Sequence, residues 1–409
     1  MTTQHGLAVA IFALTYALIA SRRLRLLPIG RPAGALLGAT LIVVTGVMTP
    51  QEAYHAIDGD TIVLLFAMMV VSAELAQAGV LDWLAKSLVA LCPTPRALLV
   101  GVIATSALTS AFLVNDTICL LMTPVIVATC VRAGLPLAPY LLALATSANL
   151  GSALTLVGNP QNMVIGSMSG LDFGVFFVRM LPAVGLALAV HVAFSLAFFR
   201  RVLPAVWPVV PDIARRFPRE GAWHGLTLLG VMTAFFAGAH LGFAALAGAV
   251  FLMLLRRDEP TETFRRVDWT ILVFFCGLFI VTEGLAATGL VAEVWSDLQP
   301  HLRLDDGAGV AGFTAAMTLG SNLVSNVPMV LLTGPHIPSL GAGDGGWLLL
   351  AFVTTVAGNL TLVGSVANII VAEAARDHHT LGFMEYLRFG AAATLLSLAS
   401  GVPVLMAVG

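Results

Sequence analysis

The chain has 409 residues, 58% of them apolar and 10% charged, with 20 Lys and Arg against 22 Asp and Glu. Soluble domains carry about 25% charged residues. This composition, with a mean hydropathy of +0.95, therefore excludes an ordinary soluble domain and predicts an integral membrane protein, while the absence of any basic tract argues against a nucleic-acid partner.

The first apolar stretch, 6–20, is followed rather than preceded by its basic cluster, Arg22, Arg23 and Arg25. That is the wrong order for a cleaved signal peptide, so a first span is expected there. Apolar runs of about 17–25 residues can cross roughly 30 Å of hydrocarbon. They predict further spans at 33–49, 61–77, 139–168, 174–199, 223–238, 240–255, 269–287, 347–373 and 384–407. Two intervals, 97–131 and 309–336, are apolar but interrupted by polar residues, and each is expected to be a re-entrant hairpin. Residues 80–92 contain Asp82 and Lys86 and are expected to lie along the interface. Cys92, Cys119, Cys130 and Cys276 lack metal-ligand spacing and read as buried hydrophobes, so no metal site is predicted.

Basic residues test this layout, because inside loops collect Lys and Arg. With both termini outside, 18 of the 20 fall inside: Arg22, Arg23, Arg25, Arg31, Lys86, Arg96, Arg132, Arg200, Arg201, Arg215, Arg216, Arg219, Arg256, Arg257, Arg265, Arg266, Arg376 and Arg388. Arg179 and Arg303 fall elsewhere. A multi-pass protein of the cell (inner) membrane is expected.

The chain also repeats itself. "HGLAVAIFALTYALI" (5–19) is echoed at 224–238, "ALLGA" (35–39) at 245–249, and "TIVLLFAMMVVSAELAQAG" (61–79) at 270–289. "SAFLVNDTICLLMTP" (110–124) matches "SNLVSNVPMVLLTGP" (321–335), and "LTLVGNPQN" (154–162) matches "LTLVGSVAN" (360–368). Offsets stay between 206 and 219. The charge-derived orientation runs the first span inward and its echo outward, so the repeats are inverted. The predicted fold is an all-α polytopic membrane protein of two inverted repeats, 1–200 and 223–409, joined by a cytoplasmic linker at 201–222. Each repeat has a re-entrant hairpin and a discontinuous span, which is how secondary transporters are built.

Non-helical backbone at membrane depth must face protein or a water-filled cavity. Four such places occur: the hairpin tips "LVNDT" (113–117) and "LVSNVP" (323–328), and the breaks "LVGNPQN" (156–162) and "LVGSVAN" (362–368). Pro160 and Pro328 sit where a first helical residue is expected, and Gly158 and Gly364 permit the close approach a break needs. Carbonyls freed at a break can hold a cation, and free N–H groups an anion or polar solute.

Asp116 is the acid in this set, and the nearest Lys or Arg in sequence is Arg132. An ionised carboxylate at the bilayer centre costs at least about 2.5–3.5 kcal/mol. It is therefore expected to bind a cation, take up a proton, or do both by turns. The alternative is a protonated Asp capping a helix that begins near Thr117. Its repeat counterpart is Val327, so one charge-coupled site is expected rather than two. Glu74 and Glu283 match near span ends and read as interfacial or packing residues; His240, Glu373, Arg376, His378 and His379 read as solvated. Asn149, Ser152, Thr155 and Asn359 either line the cavity or bond between helices.

The combination "NDT…TP", "ANLGSALTLVGNPQN", "SN…P" and "AGNLTLVGSVAN" resembles the ion transporter superfamily over essentially the full chain. Within it, the chain is most similar to the branch of arsenite-pump membrane proteins, sodium/proton antiporters and citrate-transporter-like permeases. The resemblance implies a scaffold part, a moving transport part, a homodimer and an elevator-like motion. From the related divalent-anion/sodium symporters it implies a first sodium-type site at Ser110, Asn115 and Gly158. A second would use Ser321, Ser325, Asn326 and Gly364. This sequence departs from them where each tip loses its Thr and one position becomes Asp116. An acid beside a dianion repels it unless neutralised, which favours arsenite-type or antiporter behaviour over dicarboxylate uptake. "GNPQN", with the amide Asn159 where the arsenite branch often shows an acid, pulls the other way.

The expectation is a secondary active transporter, not an enzyme, moving a small inorganic oxyanion or hydroxy-acid such as arsenite or silicate. It would be coupled to protons or sodium through Asp116, most readily by antiport, with no other cofactor. Ser110, Asn115, Asp116, Gly158, Asn159 and Asn162 form the expected cation or proton site. Asn115, Thr117, Gln161, Ser325, Asn326 and Asn368 form the expected solute contacts. A sodium/proton antiporter and a sodium-coupled di- or tricarboxylate symporter are the rival readings. With no P-loop, the chain is no primary pump by itself, although a separate ATPase partner stays open.

Overall fold

The computed structural model describes residues 3–20, 30–209, 216–257 and 259–408. The expected basic residues Arg22, Arg23, Arg25 and Arg215 lie outside them, as does part of the expected linker. Every regular element among the described residues is helical. In chain order they are α1 (Thr3–Ala20), α2 (Arg31–Val44), α3 (Pro50–Ala56), α4 (Gly59–Gln77), α5 (Val80–Leu91), α6 (Pro95–Phe112), α7 (Asn115–Ala133), α8 (Ala138–Ser152), α9 (Pro160–Ser169) and α10 (Phe173–Phe198). There follow α11 (Gly221–Phe236), α12 (Leu241–Arg256), α13 (Thr261–Arg266), α14 (Trp269–Ala286), α15 (Leu290–Leu298), α16 (Gly307–Val324), α17 (Asn326–Thr333), α18 (Asp344–Ala357), α19 (Val366–Ala374) and α20 (Phe383–Val408). Six of them, α4, α6, α7, α10, α14 and α20, are long and apolar enough to cross a membrane.

The second ten follow the order of the first ten, and their contacts are exchanged accordingly. Helix α4 packs on α12 while α14 packs on α2, and α7 packs on α19 while α17 packs on α9. Helices α10 and α20, which correspond, pack on each other. Such exchange is what a pseudo-two-fold relation between the halves produces. Local chemistry repeats too: the turns from α4 into α5 and from α14 into α15 are both made by a glycine in the left-handed region, Gly79 (φ +75°) and Gly289 (φ +74°).

Loops sort to two faces. Around the ends rich in Arg, Trp207 Nε1 donates to the Cys92 carbonyl at 3.2 Å and Gln77 Nε2 to Thr263 Oγ1 at 3.1 Å. At the opposite face His240 lies 3.4 Å from Asp60 and Leu304 N donates to the Leu340 carbonyl at 3.4 Å. The two basic residues outside the main cluster are each paired with an acid: Arg179 with Asp344 at 3.2 Å and Arg303 with Asp305 at 2.5 Å. Several loop acids are helix caps: Asp58 for α4, Asp172 for α10, Asp268 for α14 and Asp306 for α16.

The interrupted spans occupy the centre. Every residue of α8 from Pro139 to Ser152 is buried, as is every residue of α18 from Gly345 to Ala357. Both hairpin tips meet these breaks in the interior. The hairpin arms differ from expectation in two ways. Helices α6 and α7 are each as long as a span, whereas the second return arm is α17 followed by a 3-10 turn at Gly334–Leu340, where Pro335 and Pro338 prevent a regular helix. The expected first helical position at Pro328 is also corrected. Helix α17 starts at Asn326, and Pro328 falls in its first turn, where its missing N–H still costs nothing. The expected span 33–49 ends at Val44, and a capping box of Thr49 and Glu52 opens the unforeseen short helix α3.

Candidate functional site

The breaks are tied off by side chains, as buried carbonyls require. Asn162 Nδ2 donates to the carbonyls of Ser152 (3.3 Å) and Thr155 (2.9 Å). Its counterpart Asn368 Nδ2 donates to those of Gly358 (2.8 Å) and Thr361 (3.1 Å). Asn159 caps α9 by accepting from Asn162 N at 2.9 Å, and its Nδ2 reaches Ser152 Oγ (2.8 Å) and, across the repeats, Thr355 Oγ1 (3.3 Å). The matching contact runs from Ser365 Oγ to Asn149 Oδ1 at 3.1 Å. A methyl on Gly158 would sit 2.3 Å from the Ser152 carbonyl oxygen and 2.9 Å from that of Ser110. One on Gly364 would sit 2.8 Å from Asn322 Oδ1. Both glycines are therefore required by close approach.

Asn149 is the hub. Its Oδ1 accepts from Asn115 Nδ2 (2.8 Å) and Ser365 Oγ, and its Nδ2 donates to Asn359 Oδ1 (2.9 Å) and Asn368 Oδ1 (3.0 Å). All four of its bonding positions are used, joining the first tip to the second break. Of the two readings left open by the sequence, bonding between helices describes Asn149 and Asn359. Ser152 and Thr155 likewise bond to backbone, Thr155 Oγ1 donating to the Ala111 carbonyl.

Asp116 is the second residue of α7, not its cap; the N-cap is Val114. Asp116 is 9% exposed and lines two cavities. The first, about 60 Å³, gathers Asn115, Gln161, Ser325, Asn326 and Gly364 against Phe274 and Phe275 of α14. The first residues of four helices, Asn115, Pro160, Asn326 and Val366, all line it. Helix N-termini carry partial positive charge, so their convergence stabilises negative charge there. The second cavity, about 200 Å³, holds Thr117 together with Ser72, Arg266 and Asp268. The sequence distance to Arg132 is thus a poor guide to the charges around Asp116, since Arg266 arrives from the other repeat.

The expected residues fall into three groups. Asn115, Asp116, Gln161, Ser325, Asn326 and Gly364 meet around the small cavity, and Thr117 faces the larger one. Asn159, Asn162 and Asn368 bond to the breaks and the opposite repeat. Ser110 and Ser321 lie behind the tips, fully buried. Their Oγ atoms, with Asn115 Oδ1 and Asn326 Oδ1, find no hydrogen-bond partner. Hydroxyl and amide oxygens left over in matched pairs are the hard donors a sodium ion accepts. Ser365 and Thr355 were missed. Ser365 had a signal, since it stands where the first repeat has Asn159; Phe274 and Phe275 are apolar in an apolar span and had none.

Ser325 is held at φ +78°, ψ 159°, a region nearly restricted to glycine. Its counterpart at the first tip, Val114, has an ordinary φ of −61°. Such strain costs of order 1–3 kcal/mol and gathers at ligand sites. Ser325→Gly should therefore raise the stability of the purified protein by about 1 kcal/mol, read as a higher melting temperature. A lower melting temperature would show that Ser325 is unstrained.

Among the described residues, paired halves of ten α-helices each, buried breaks and tips that close on one polar cavity define a polytopic membrane transporter. The chain belongs to the citrate transporter family, whose description matches residues 16–357. A transporter of Dictyostelium discoideum named arsB is 30% identical over 94% of this chain and 88% of its own. The silicon efflux transporter LSI3 of Oryza sativa subsp. japonica is 31% identical over 93% of each. The 46 kDa membrane protein of Mycobacterium leprae is 32% identical over 96% of each. The YdaH transporter of Alcanivorax borkumensis shares the fold, with a TM-score of 0.59 over 98% of this chain and 96% of that one, at 14% identity.

Proposed function

We propose that the protein is a secondary active transporter moving a small inorganic oxyanion or hydroxy-acid of the arsenite or silicate type. Protons or sodium are coupled through Asp116, by antiport. The observation that carries this reading is the convergence of four helix N-termini and one carboxylate on a cavity of about 60 Å³. Drug-sized ligands occupy roughly 300–1,000 Å³, so a cavity this small suits a solute of few atoms. The relatives named for arsB and for silicon efflux support the same class.

The chemistry gives the direction of coupling. A neutral oxyacid offers O–H donors, and an ionised Asp116 accepts them. A proton or sodium ion on Asp116 removes that acceptor, so solute and cation occupy the site by turns, which is exchange. A fully ionised di- or tricarboxylate reverses the sign: it shares the positive field with Asp116 only after a cation neutralises that side chain, which is cotransport. The matched leftover oxygens at Ser110/Asn115 and Ser321/Asn326 favour this second reading, a sodium-coupled carboxylate symporter. Two inverted repeats, a homodimer, an elevator-like motion and the Arg-rich face inside complete the proposal.

Proteoliposomes holding a pH dye, given arsenite, silicate, phosphate, citrate or succinate with and without a sodium gradient, test it. Antiport predicts that raising the cation on the side where solute binds weakens its apparent affinity. Strengthened affinity, or transport of citrate but not of arsenite or silicate, would establish the symporter instead.

A further inference from the structure

The cavity of about 200 Å³ holds no solute in the reading above, yet the buried Asp116 lines it. Its walls are α4, through Met69, Ser72 and Ala76, then α7, and Ile370 of α19. Its outer end is the corner between α13 and α14, where Arg266 and Asp268 are exposed. Ala76 adjoins Gln77, which bonds Thr263 at the Arg-rich face. The cavity therefore leads from solvent at that face to the buried carboxylate; it takes in Val114 and Thr117 of the first tip but none of Gln161, Ser325 or Asn326, which line the small cavity.

We propose that this cavity is a separate path by which the coupling cation reaches and leaves Asp116, and that Arg266 at its mouth shortens the cation's stay. The inference rests on Asp116 being the coupling acid. A guanidinium facing the path repels a cation and attracts the emptied carboxylate, so it favours release toward the Arg-rich face. Asp268 does not cancel it fully, because its carboxylate also accepts from Thr270 N (3.0 Å) and Ile271 N (3.3 Å) as the cap of α14. The other charged groups on the surrounding helices are Asp60 and Glu74 on α4, Glu74 being bound to Thr263 and 3.8 Å from His224, Arg132 on α7, Glu262 and Arg265 on α13, Glu283 on α14, and Glu373, one turn beyond Ile370 on α19. None of these lines the cavity. In the first repeat, Asp58 matches Asp268 as the cap of α4 but Ala56 stands at the position of Arg266, so the path serves one side only.

The test combines access with affinity. Ala76→Cys in proteoliposomes, with wild type as the labelling blank, should react with a membrane-impermeant thiol reagent from the Arg-rich face alone. Arg266→Gln should tighten the apparent cation affinity on that face by about tenfold and lower kcat, with the solute KM extrapolated to zero coupling cation unchanged. Arg266→Lys should restore both. Labelling only from the opposite face, or an unaltered cation affinity in Arg266→Gln, would overturn the path. Asp116→Asn run in parallel separates the two ideas. If it abolishes cation dependence while Arg266→Gln does nothing, the path alone fails; if it leaves cation dependence intact, the reading of Asp116 fails first.

Discussion

Asp116→Asn should reduce solute-driven proton or sodium flux by about 100-fold, the scale expected when a charge-assisted hydrogen bond at a buried site is lost. The substitution keeps the size of the side chain and removes only the carboxylate proposed to alternate between cation and solute. Helix α7 should survive it, because Val114, not Asp116, occupies the cap position and no side-chain cap bond is made there. The measurement is dye-reported flux in proteoliposomes, alongside a melting curve showing that the variant is folded. If flux persists at the wild-type level, the carboxylate serves only the positive end of α7. The oxygens of Ser110 and Asn115 then become the ion site, and the sodium-coupled symporter takes first place.

Asn149→Leu should be the most damaging change outside the cavity. It strands the amide donor of Asn115, the hydroxyl of Ser365 and the side-chain oxygens of Asn359 and Asn368. Leucine fills much of the volume but satisfies none of them. Interhelical bonds in membranes average about 0.6 kcal/mol, and unsatisfied buried groups cost about 1–3 kcal/mol each. A loss of about 2–4 kcal/mol is therefore expected, seen as a lower melting temperature and loss of transport. Thr355→Val, which removes an acceptor for Asn159 and Gln161 only, should cost about 1 kcal/mol. Equal effects of the two variants would show that Asn149 is not the hub.

Much of the architecture was legible because it is written in local chemistry. The length of apolar runs, Pro160 at a helix start, and the repeated "LTLVG" each act within a few residues. Asn162 and Asn368 stand at matched positions, and the bonds they make to the break carbonyls match as well. The same reasoning misplaced the start of α17 by two residues, since Pro tolerates any position in a first turn. It also treated Glu74 and Glu283 alike. The structure buries Glu74 with Thr263, His224 and Arg256 but leaves Glu283 exposed, because the helices beside each differ in their side chains.

By itself, then, the sequence determined that this is a duplicated, all-helical membrane chain with four interruptions and an acid at one of them. Hydrophobic length, proline and glycine geometry and repeat spacing are properties of short segments, so they need no partner to be read. Which polar residues meet was decided only by the tertiary structure. Asn149 and Asn368, Asn159 and Thr355, and Asp116 and Arg266 come from opposite halves of the chain. Their meeting depends on how α8 packs on α19, α9 on α18 and α13 on α4 across the repeats, and a hydrogen bond or a facing charge over that separation leaves no periodic trace.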